Sequence, residues 1–315
     1  MNIWIVGAGP MAACHAKALN AFDCSATIVA TSAVRAGPLS AEYSMDYIDL
    51  GLSKALELKR KPDAAIVCLP IDQLAAAAVV LLEAGVQRIL LEKPGGLSAN
   101  ELDVVADLAR NKNADVFVAY NRRFLASTIE AKKRIEAAGG ALSASIDFCE
   151  NSYVIDKLPT PEKIKQKWLL ANSSHVLDLA FYLCGFPSQL DTKVRGALSW
   201  HRAGAFFSGS GTTSSQTEVV YSADWRGPGR WGLEITLPQE RLIFRPLEKL
   251  QVMVPGSFST DFIDLDYETD IEYKPGIYLQ LQSFLGNREC LLTAAEQAKN
   301  MRKLYNPIAG YSEDQ

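Results

Sequence analysis

Histidine and clustered cysteine are scarce in this chain. Its 315 residues include three histidines and six cysteines, and no two cysteines stand in a CxxC spacing. Zinc sites draw on such clusters, so the sequence predicts no metal site. In a chain of this length, scattered cysteines favour reduced thiols in a cytosolic compartment over a disulfide framework.

Long apolar runs and a basic overall charge are also missing. No uninterrupted apolar stretch approaches the roughly 20 residues that span a bilayer, and residues 1–6 lack the basic leader of a signal peptide. The net charge of −4 and the pI of about 5.6 are unlike those of a nucleic-acid-binding domain. These absences predict a cytoplasmic protein with neither a membrane nor a nucleic-acid partner.

The pattern of apolar residues indicates two domains. Over residues 1–120, short apolar runs alternate with helical segments, which is typical of parallel βαβ units in a doubly wound α/β sheet. After a helix at 125–138, strand-like segments follow one another and only one amphipathic helix, Ser174–Cys184, interrupts them. This second pattern predicts an α+β domain over 121–315 with a large, open, mostly antiparallel sheet. We expect the active site in the cleft between the two domains.

A glycine pair follows the first predicted strand. Gly7, Gly9 and Ala12 form a G-x-G-x-x-A pattern between a strand and a helix, which is the context in which this pattern binds a dinucleotide. Gly7 permits a tight turn, and Gly9 lets the backbone approach a pyrophosphate that the helix N-terminus stabilises. The alternative is an ordinary glycine-containing turn. Residues 1–120 are therefore predicted to be an NAD(P)-binding Rossmann domain. Apart from the residues that follow the second predicted strand, the predicted dinucleotide contacts are Gly7, Ala8, Gly9, Pro10, Met11, Leu69, Pro70, Glu92 and Lys93.

The end of the second strand bears on the choice of dinucleotide. NAD enzymes commonly place an acidic residue there to hold the ribose diol. Here Thr31, Ser32 and Arg35 follow the strand, and the first acidic residue is Glu42. Hydroxyls and a guanidinium suit a 2′-phosphate, so the sequence favours NADP(H). NAD(H) stays open because Arg35 could equally be a solvated loop residue.

Two side chains are candidates for the catalytic groups that act on a carbinol when its hydride is removed. Lys93, in Glu92-Lys93-Pro94, follows a buried strand at the edge where open α/β sheets bind ligands. His175 lies near the start of the helix Ser174–Cys184. Removal of hydride from CH–OH needs a base for the hydroxyl proton and a cation beside the oxygen. His175 is the candidate base and Lys93 the candidate cation. The alternatives are an ion-paired structural lysine and a capping or core histidine.

Several motifs occur together in an order that resembles the glucose–fructose oxidoreductase / inositol dehydrogenase (Gfo/Idh/MocA) family. They are Gly7-Ala8-Gly9-Pro10, Glu92-Lys93-Pro94, Tyr120-Asn121-Arg122-Arg123-Phe124 and Ser174-His175-Val176-Leu177-Asp178-Leu179, with further similarity at 274–278 and 296–300. The resemblance implies a Rossmann domain followed by an open-sheet domain, and a homo-oligomer (a dimer or a tetramer) formed through that sheet. It also implies Lys93 and His175 as the catalytic pair, and a cis Lys93–Pro94 peptide.

Two positions depart from the family pattern. Many members carry an aspartate four residues before the histidine, where it assists catalysis and holds a sugar hydroxyl. This chain has Ala171 there, followed by Asn172. A histidine often found four residues after the strand-ending proline is Leu74 here. Either Asn172 substitutes as a hydrogen-bonding group, or the substrate is held differently.

Basic and aromatic residues suggest the kind of substrate. Residues 157–168 are rich in lysine and end at Trp168, and further positive charge comes from four arginines, Arg122, Arg123, Arg226 and Arg230. Such groups suit phosphate or carboxylate, and aromatic rings stack on sugars or bases. The equally weighted alternative is a solvated surface loop with core tryptophans. The predicted substrate contacts are Lys93, Asn121, Arg123, Trp168, Asn172 and His175.

The leading hypothesis is an NAD(P)-dependent oxidoreductase. It would transfer hydride between the nicotinamide and a ring carbon of a sugar or nucleotide-sugar. The resemblance to the family suggests surface-polysaccharide biosynthesis as the pathway. One alternative is a hydrolase of the same fold that oxidises a sugar transiently, eliminates a substituent and reduces it again. Another is a nicotinamide-binding sensor without turnover, which the loss of the aspartate at Ala171 motivates.

Overall fold

The structure, a computed structural model, describes residues 1–312. Contacts divide the chain into two compact units. Unit 1 consists of Met1–Tyr120 and Thr269–Asn300, and unit 2 consists of Asn121–Glu268 and the residues from Met301 onward.

Fifteen strands form two sheets within the described range. They are β1 (Asn2–Val6), β2 (Ser25–Val29), β3 (Asp46–Ile48), β4 (Ala64–Val67), β5 (Arg88–Glu92), β6 (Asp115–Ala119), β7 (Ser143–Phe148), β8 (Pro187–Arg195), β9 (Phe206–Thr213), β10 (Glu218–Asp224), β11 (Trp231–Thr236), β12 (Arg241–Phe244), β13 (Gln251–Met253), β14 (Asp261–Phe262) and β15 (Leu292–Thr293).

Thirteen α-helices lie in the same range. They are α1 (Pro10–Leu19), α2 (Ala33–Tyr43), α3 (Leu52–Leu58), α4 (Ile71–Glu83), α5 (Ala99–Asn111), α6 (Ala126–Ala137), α7 (Ser152–Ile155), α8 (Glu162–Lys165), α9 (Ser174–Cys184), α10 (Glu268–Glu272), α11 (Ile277–Leu285), α12 (Ala294–Asn300) and α13 (Asn306–Ala309). A 3-10 turn spans Asn121–Phe124, and π-helical turns span Leu169–Ser173 and Met301–Tyr305.

The sheet of unit 1 is a parallel sheet with one antiparallel strand at its edge. Its order is β15-β6-β5-β4-β1-β2-β3, and β1 to β6 pair in parallel while β15 pairs antiparallel with β6. The chain reverses its direction of winding between β1 and β4. In such sheets dinucleotides bind at the carboxyl ends of the strands, at this reversal. The predicted doubly wound Rossmann sheet is confirmed.

The apolar runs of the sequence explain why these strands are central. In β1, Ile3 and Ile5 are fully buried and Trp4 is 2% exposed, so both faces of the strand are covered. Strands of parallel sheets are covered on both faces and therefore read as continuous apolar segments rather than alternating ones.

Thr269–Asn300 belongs to unit 1, whereas the predicted division at 120/121 placed it with the second domain. The physical reason is local pairing. β15 adds to the edge of β6, and α12 packs on α5. Short segments late in a chain carry no sequence sign of which sheet they will join.

Unit 2 contains an open sheet of eight strands in the order β14-β13-β12-β11-β7-β10-β9-β8. All neighbouring strands pair antiparallel except β7 and β10, which are parallel. In β10, Val219 and Tyr221 are buried while Val220 is half exposed, so one face of the sheet is covered. α9 packs on β7 and β11. The predicted mostly antiparallel sheet is confirmed.

Two local features carry no clear sign in the sequence. β8 ends at Arg195 because Gly196 has a positive φ of 67°, and Leu198 and His201 then close a tight turn through two backbone hydrogen bonds. The second feature is α2. It contains Pro38, a residue that removes a helical N–H and argues against a helix interior.

None of the helices in residues 1–312 has the length and apolar character needed to cross a membrane. No disulfide joins the six cysteines, all of which lie in the described part of the chain.

Candidate active site

The glycine loop between β1 and α1 has the shape of a pyrophosphate cradle. Gly7 has a φ of 115°, and a Cβ there would overlap the carbonyl oxygen of Cys68, so no other residue fits without strain. A Cβ at Gly9 would meet no atom within 4 Å, so the loop is open on that side. α1 begins at once with Pro10, and its first-turn amides point out of the helix end. The open backbone and the helix N-terminus fit a dinucleotide pyrophosphate.

The residues predicted to choose between the two dinucleotides lie between β2 and α2. Thr31, Ser32 and Arg35 are all exposed. Ser32 occupies the N-cap position of α2, yet its side chain makes no capping hydrogen bond. All three side chains are therefore accessible to a ligand.

The Glu92-Lys93-Pro94 segment leaves the carboxyl end of β5. The Lys93–Pro94 peptide is cis, as the resemblance implies. Glu92 is buried, and its Oε1 lies 2.9 Å from Nε2 of His15 on α1. Because a carboxylate only accepts, Nε2 of His15 carries the proton of this hydrogen bond.

Gln297 holds the same segment from the other end of the sequence. Its Nε2 donates to the carbonyl oxygen of Pro94 (3.1 Å) and to the hydroxyl of Tyr120 (2.9 Å), and Gln297 is fully buried. Sequence reasoning missed this residue, although it lies in the 296–300 segment that resembles the family.

His15, Cys68 and Glu92 bring one nitrogen, one sulfur and one carboxylate oxygen within 4.8 Å of one another. The sequence, in which these residues are far apart, gives no sign of this cluster. Burial and the charge of Glu92 raise the pKa of the Cys68 thiol well above its usual value, which keeps the sulfur protonated and a poor metal ligand. Since His15 is already bonded to Glu92, the cluster is explained as support for the Glu92-Lys93-Pro94 segment.

In unit 2, His175 lies at the second position of α9, directly after the π-helical turn Leu169–Ser173. It is 7% exposed, and its ring centroid is 6.2 Å from that of Trp231. π-helical turns interrupt the regular side-chain spacing of a helix and occur often at functional sites.

A buried carboxylate lies beside this turn. Oε1 of Glu150 accepts hydrogen bonds from Ser173 Oγ (2.6 Å), Asn172 Nδ2 (3.1 Å) and Trp231 Nε1 (3.3 Å). Oε2 accepts from Asn172 Nδ2 (3.1 Å). Burial raises the pKa of Glu150, and the hydrogen bonds from Ser173 and Asn172 partly offset that rise. Sequence reasoning missed Glu150, which is separated from its partners by about 20 residues of sequence or more.

The two arginines of the Asn121–Phe124 turn have different surroundings. Arg123 forms a two-pronged ion pair with Asp178 on α9, with distances of 2.8 and 2.6 Å. Burial lowers the pKa of Arg123, but the charge of Asp178 more than reverses this, so the pKa is raised. Two donors of this predicted substrate contact are therefore directed at Asp178. Asn121, another predicted contact, is 7% exposed.

Arg122 is the less satisfied of the pair. Its guanidinium carbon lies 5.1 Å from the ring centroid of Trp231, and its nearest carboxylate, on Glu248, is 3.9 Å away. Nε is buried without a hydrogen-bond partner among the described residues, and burial lowers the pKa of the group. A guanidinium that is only 19% exposed and has unused donors is suited to an anionic ligand.

The basic segment 157–168 is largely occupied by contacts within unit 2. Lys165 donates to the backbone oxygen of Asp156 (2.8 Å), and the ammonium of Lys167 lies 4.3 Å from the ring centroid of Tyr311. Trp168, a predicted substrate contact, packs edge-on against Trp200 at 6.0 Å. These contacts favour the structural interpretation of the segment over a substrate-binding one.

The last three positions that the sequence analysis singled out lie on or next to β4 and α4. Leu69 is partly exposed and Pro70 exposed at the carboxyl end of β4, next to β1 in the sheet. Leu74, which stands where many relatives of the resembled family have histidine, is fully buried on α4.

Comparison with known proteins agrees with the fold and the loop geometry. Residues 1–120 match the model of the Gfo/Idh/MocA oxidoreductase family, which is described as having an NAD-binding Rossmann fold. The family match covers residues 1–120, which include the Gly7–Gly9 loop and Glu92-Lys93-Pro94, and over these residues the resemblance drawn from the motifs is confirmed. No curated protein sequence matches the chain.

Solved structures of similar fold cover nearly the whole chain. UDP-N-acetylglucosamine 3-dehydrogenase from Acidithiobacillus ferrooxidans is 16% identical, with 99% of this chain and 98% of that chain covered and a TM-score of 0.74. Levoglucosan dehydrogenase in complex with NADH is 17% identical, with coverage of 99% and 97% and a TM-score of 0.81. An NAD-binding oxidoreductase from Klebsiella pneumoniae is 16% identical, with coverage of 100% and 98% and a TM-score of 0.78. At these identities the similarity establishes the shared two-domain fold.

Proposed function

We propose that this protein is an NAD(P)-dependent dehydrogenase that transfers hydride between the nicotinamide and a ring carbon of a sugar or nucleotide-sugar. The observation that carries the proposal lies within unit 1. The Gly7–Gly9 loop follows β1 and Lys93 follows β5, and both leave the carboxyl edge of one parallel sheet. A dinucleotide on this loop thus shares a sheet edge with a lysine.

The residues present fit the dinucleotide. The Gly7–Met11 backbone would hold the pyrophosphate, and Leu69 and Pro70 would line the neighbouring strand end. The bound nicotinamide supplies or accepts the hydride. We propose that Lys93 polarises the carbinol oxygen and that His175 takes or returns its proton, which are the two tasks that hydride transfer leaves to the protein.

We propose NADP(H) as the preferred dinucleotide. Support comes from the exposed Thr31, Ser32 and Arg35 after β2, since two hydroxyls and a guanidinium can hold a 2′-phosphate. NADH is the dinucleotide in the levoglucosan dehydrogenase complex, so NAD(H) is the competing outcome.

The substrate class follows from unit 2 and from the similar structures. One of these acts on UDP-N-acetylglucosamine, and another holds levoglucosan together with NADH. The under-satisfied guanidinium of Arg122 beside Trp231 supports a substrate with an anionic group, such as a nucleotide-sugar. We further propose that the exposed face of the unit 2 sheet, to which Val220 belongs, forms the contact of a homo-oligomer.

The test is turnover by the purified protein. NAD⁺ and NADP⁺ are each offered with levoglucosan and with UDP-N-acetylglucosamine, and the nicotinamide absorbance is followed. We expect reduction of NADP⁺ with at least one sugar. Lys93→Ala should lower kcat by about 10²–10⁴-fold while dinucleotide affinity stays within about twofold. Near-normal turnover by this variant would remove Lys93 from the mechanism.

His175→Ala is the companion variant, and Lys112→Ala is the control, because Lys112 is the C-cap of α5, at the end of that helix opposite to the one that follows Lys93. Cleavage of a sugar derivative with no net change in nicotinamide absorbance would instead identify a hydrolase. Dinucleotide binding without any chemistry would identify a sensor.

A further inference from the structure

We propose that Glu150 is a positioning residue that fixes the side-chain amide of Asn172 with its oxygen outward, as the acceptor for a substrate hydroxyl. This inference rests on the proposed function, because it assigns a role toward the sugar. It also assigns a carboxylate of unit 2 a part in holding the sugar, although position 171, where the resembled family has its aspartate, is alanine.

The geometry of the pair decides which way the amide points. Nδ2 of Asn172 lies 3.1 Å from both carboxylate oxygens of Glu150. Ser173 and Trp231 also donate to this carboxylate, and an oxygen that accepts these hydrogen bonds faces the NH₂ group of an amide and not its oxygen. The orientation of Asn172, which is otherwise ambiguous for an amide, is therefore set by Glu150.

The outward side of the amide is available to a ligand. Asn172 is partly exposed, and its Oδ1 accepts no hydrogen bond from the described residues. A hydroxyl of a sugar can donate to such an oxygen. An aspartate or asparagine in this place offers the same acceptor, but only the amide needs a second residue to orient it.

Glu150 itself is held firmly. It is 6% exposed, and Ser173 and Trp231 donate to its Oε1 in addition to Asn172. The ring of Trp231 in turn lies beside that of His175. The oriented amide is thus three residues before the candidate base, on the helical segment that carries it.

The experiment combines variants with altered sugars. Levoglucosan, UDP-N-acetylglucosamine and the monodeoxy analogues of levoglucosan serve as probes, and KM, kcat and sugar binding to the NADPH complex are measured. Glu150→Gln gives the carboxylate position an NH₂ group that favours a flipped Asn172. We expect KM to rise about tenfold or more, as for loss of a hydrogen bond that leaves a donor facing the substrate, with a smaller change in kcat.

The double variant Glu150→Gln with Asn172→Asp exchanges the donor and the acceptor and again leaves a carboxylate oxygen facing outward. It should recover most of the lost KM. Asn172→Ala should match Glu150→Gln in KM, and one monodeoxy sugar should lose no further affinity in either variant. Glu162→Gln is the matched control, because Glu162 also accepts from a side-chain amide, that of Gln166 (2.7 Å), but at an exposed position.

The outcomes separate the inference from the proposed function. Normal sugar KM in Glu150→Gln, or equal losses for every analogue, would overturn the role of Glu150 while turnover by the wild type keeps the dehydrogenase intact. Sugar binding without hydride transfer would overturn the proposed dehydrogenase activity. The dependence of Asn172 on Glu150 would then be measured from sugar binding alone. Failure of all probes to bind would overturn both.

Discussion

Breaking the Arg123–Asp178 ion pair should cost unit 2 a large part of its stability. The side chains of Arg123 and Asp178 are 11% and 1% exposed, so neither charge can regain water if its partner is removed. Removal of one partner from a buried pair typically costs about 3–5 kcal/mol because the other charge stays buried. We therefore expect Arg123→Ala and Asp178→Asn each to lower the free energy of unfolding by about that amount.

The assay is urea unfolding followed by tryptophan fluorescence. Trp4 lies in unit 1, and the other four tryptophans lie in unit 2, so the signal reports mainly on unit 2. With an m-value of about 2–3 kcal/mol/M, the midpoint should fall by about 1–2.5 M. Arg241→Ala, which removes an exposed pair with Glu234, is the control and should cost about 1 kcal/mol or less.

A double variant sharpens this test. Arg123→Met combined with Asp178→Leu removes both charges and should be less destabilised than either single variant, because no unpaired charge is left. Single variants as stable as the wild type, but with raised sugar KM, would refute the structural role of Arg123 and support the predicted substrate contact instead.

Three further outcomes follow from the structure. Gly7→Ala, strained at its positive φ, should weaken dinucleotide binding about tenfold or more, and an unchanged Kd would contradict the cradle. Arg35→Ala should weaken NADPH more than NADH in a fluorescence titration, whereas equal effects would end the 2′-phosphate argument. Burial lowers the pKa of His201 from 6.5 to about 4. The unfolded chain therefore binds the proton first, and unit 2 should lose up to about 3 kcal/mol as the pH falls from 6.5 to 4. His201→Gln should abolish that loss.

The elements that the sequence predicts well are those with local signals. The G-x-G turn, the uninterrupted apolar strands and the amphipathic helix at Ser174–Cys184 each follow from residues close together in the chain, and the structure places that helix within the same bounds. Motif order along the chain was enough to indicate the family.

The parts that sequence reasoning missed depend on long-range contacts. Gln297 reaches Tyr120 and Pro94 across about 180 to 200 residues, and Glu150 reaches Trp231 across 81. Neither residue stands in a periodic pattern, and a lone glutamate or glutamine normally indicates a solvated surface. The different surroundings of Arg122 and Arg123 are equally invisible in sequence, because adjacent arginines read alike until Asp178 is seen to hold one of them.

Transfer of an isotopic label shows whether this protein passes hydride between a nicotinamide and a sugar carbon. The reduced dinucleotide carries deuterium at both hydrogen positions of nicotinamide C4, and the wild-type protein is incubated with the oxidised form of levoglucosan or of UDP-N-acetylglucosamine. We expect mass spectrometry to find deuterium on a ring carbon of the reduced sugar, and we expect Lys93→Ala to slow its appearance greatly. Retention of all the label in the dinucleotide, while both ligands are bound, would contradict it.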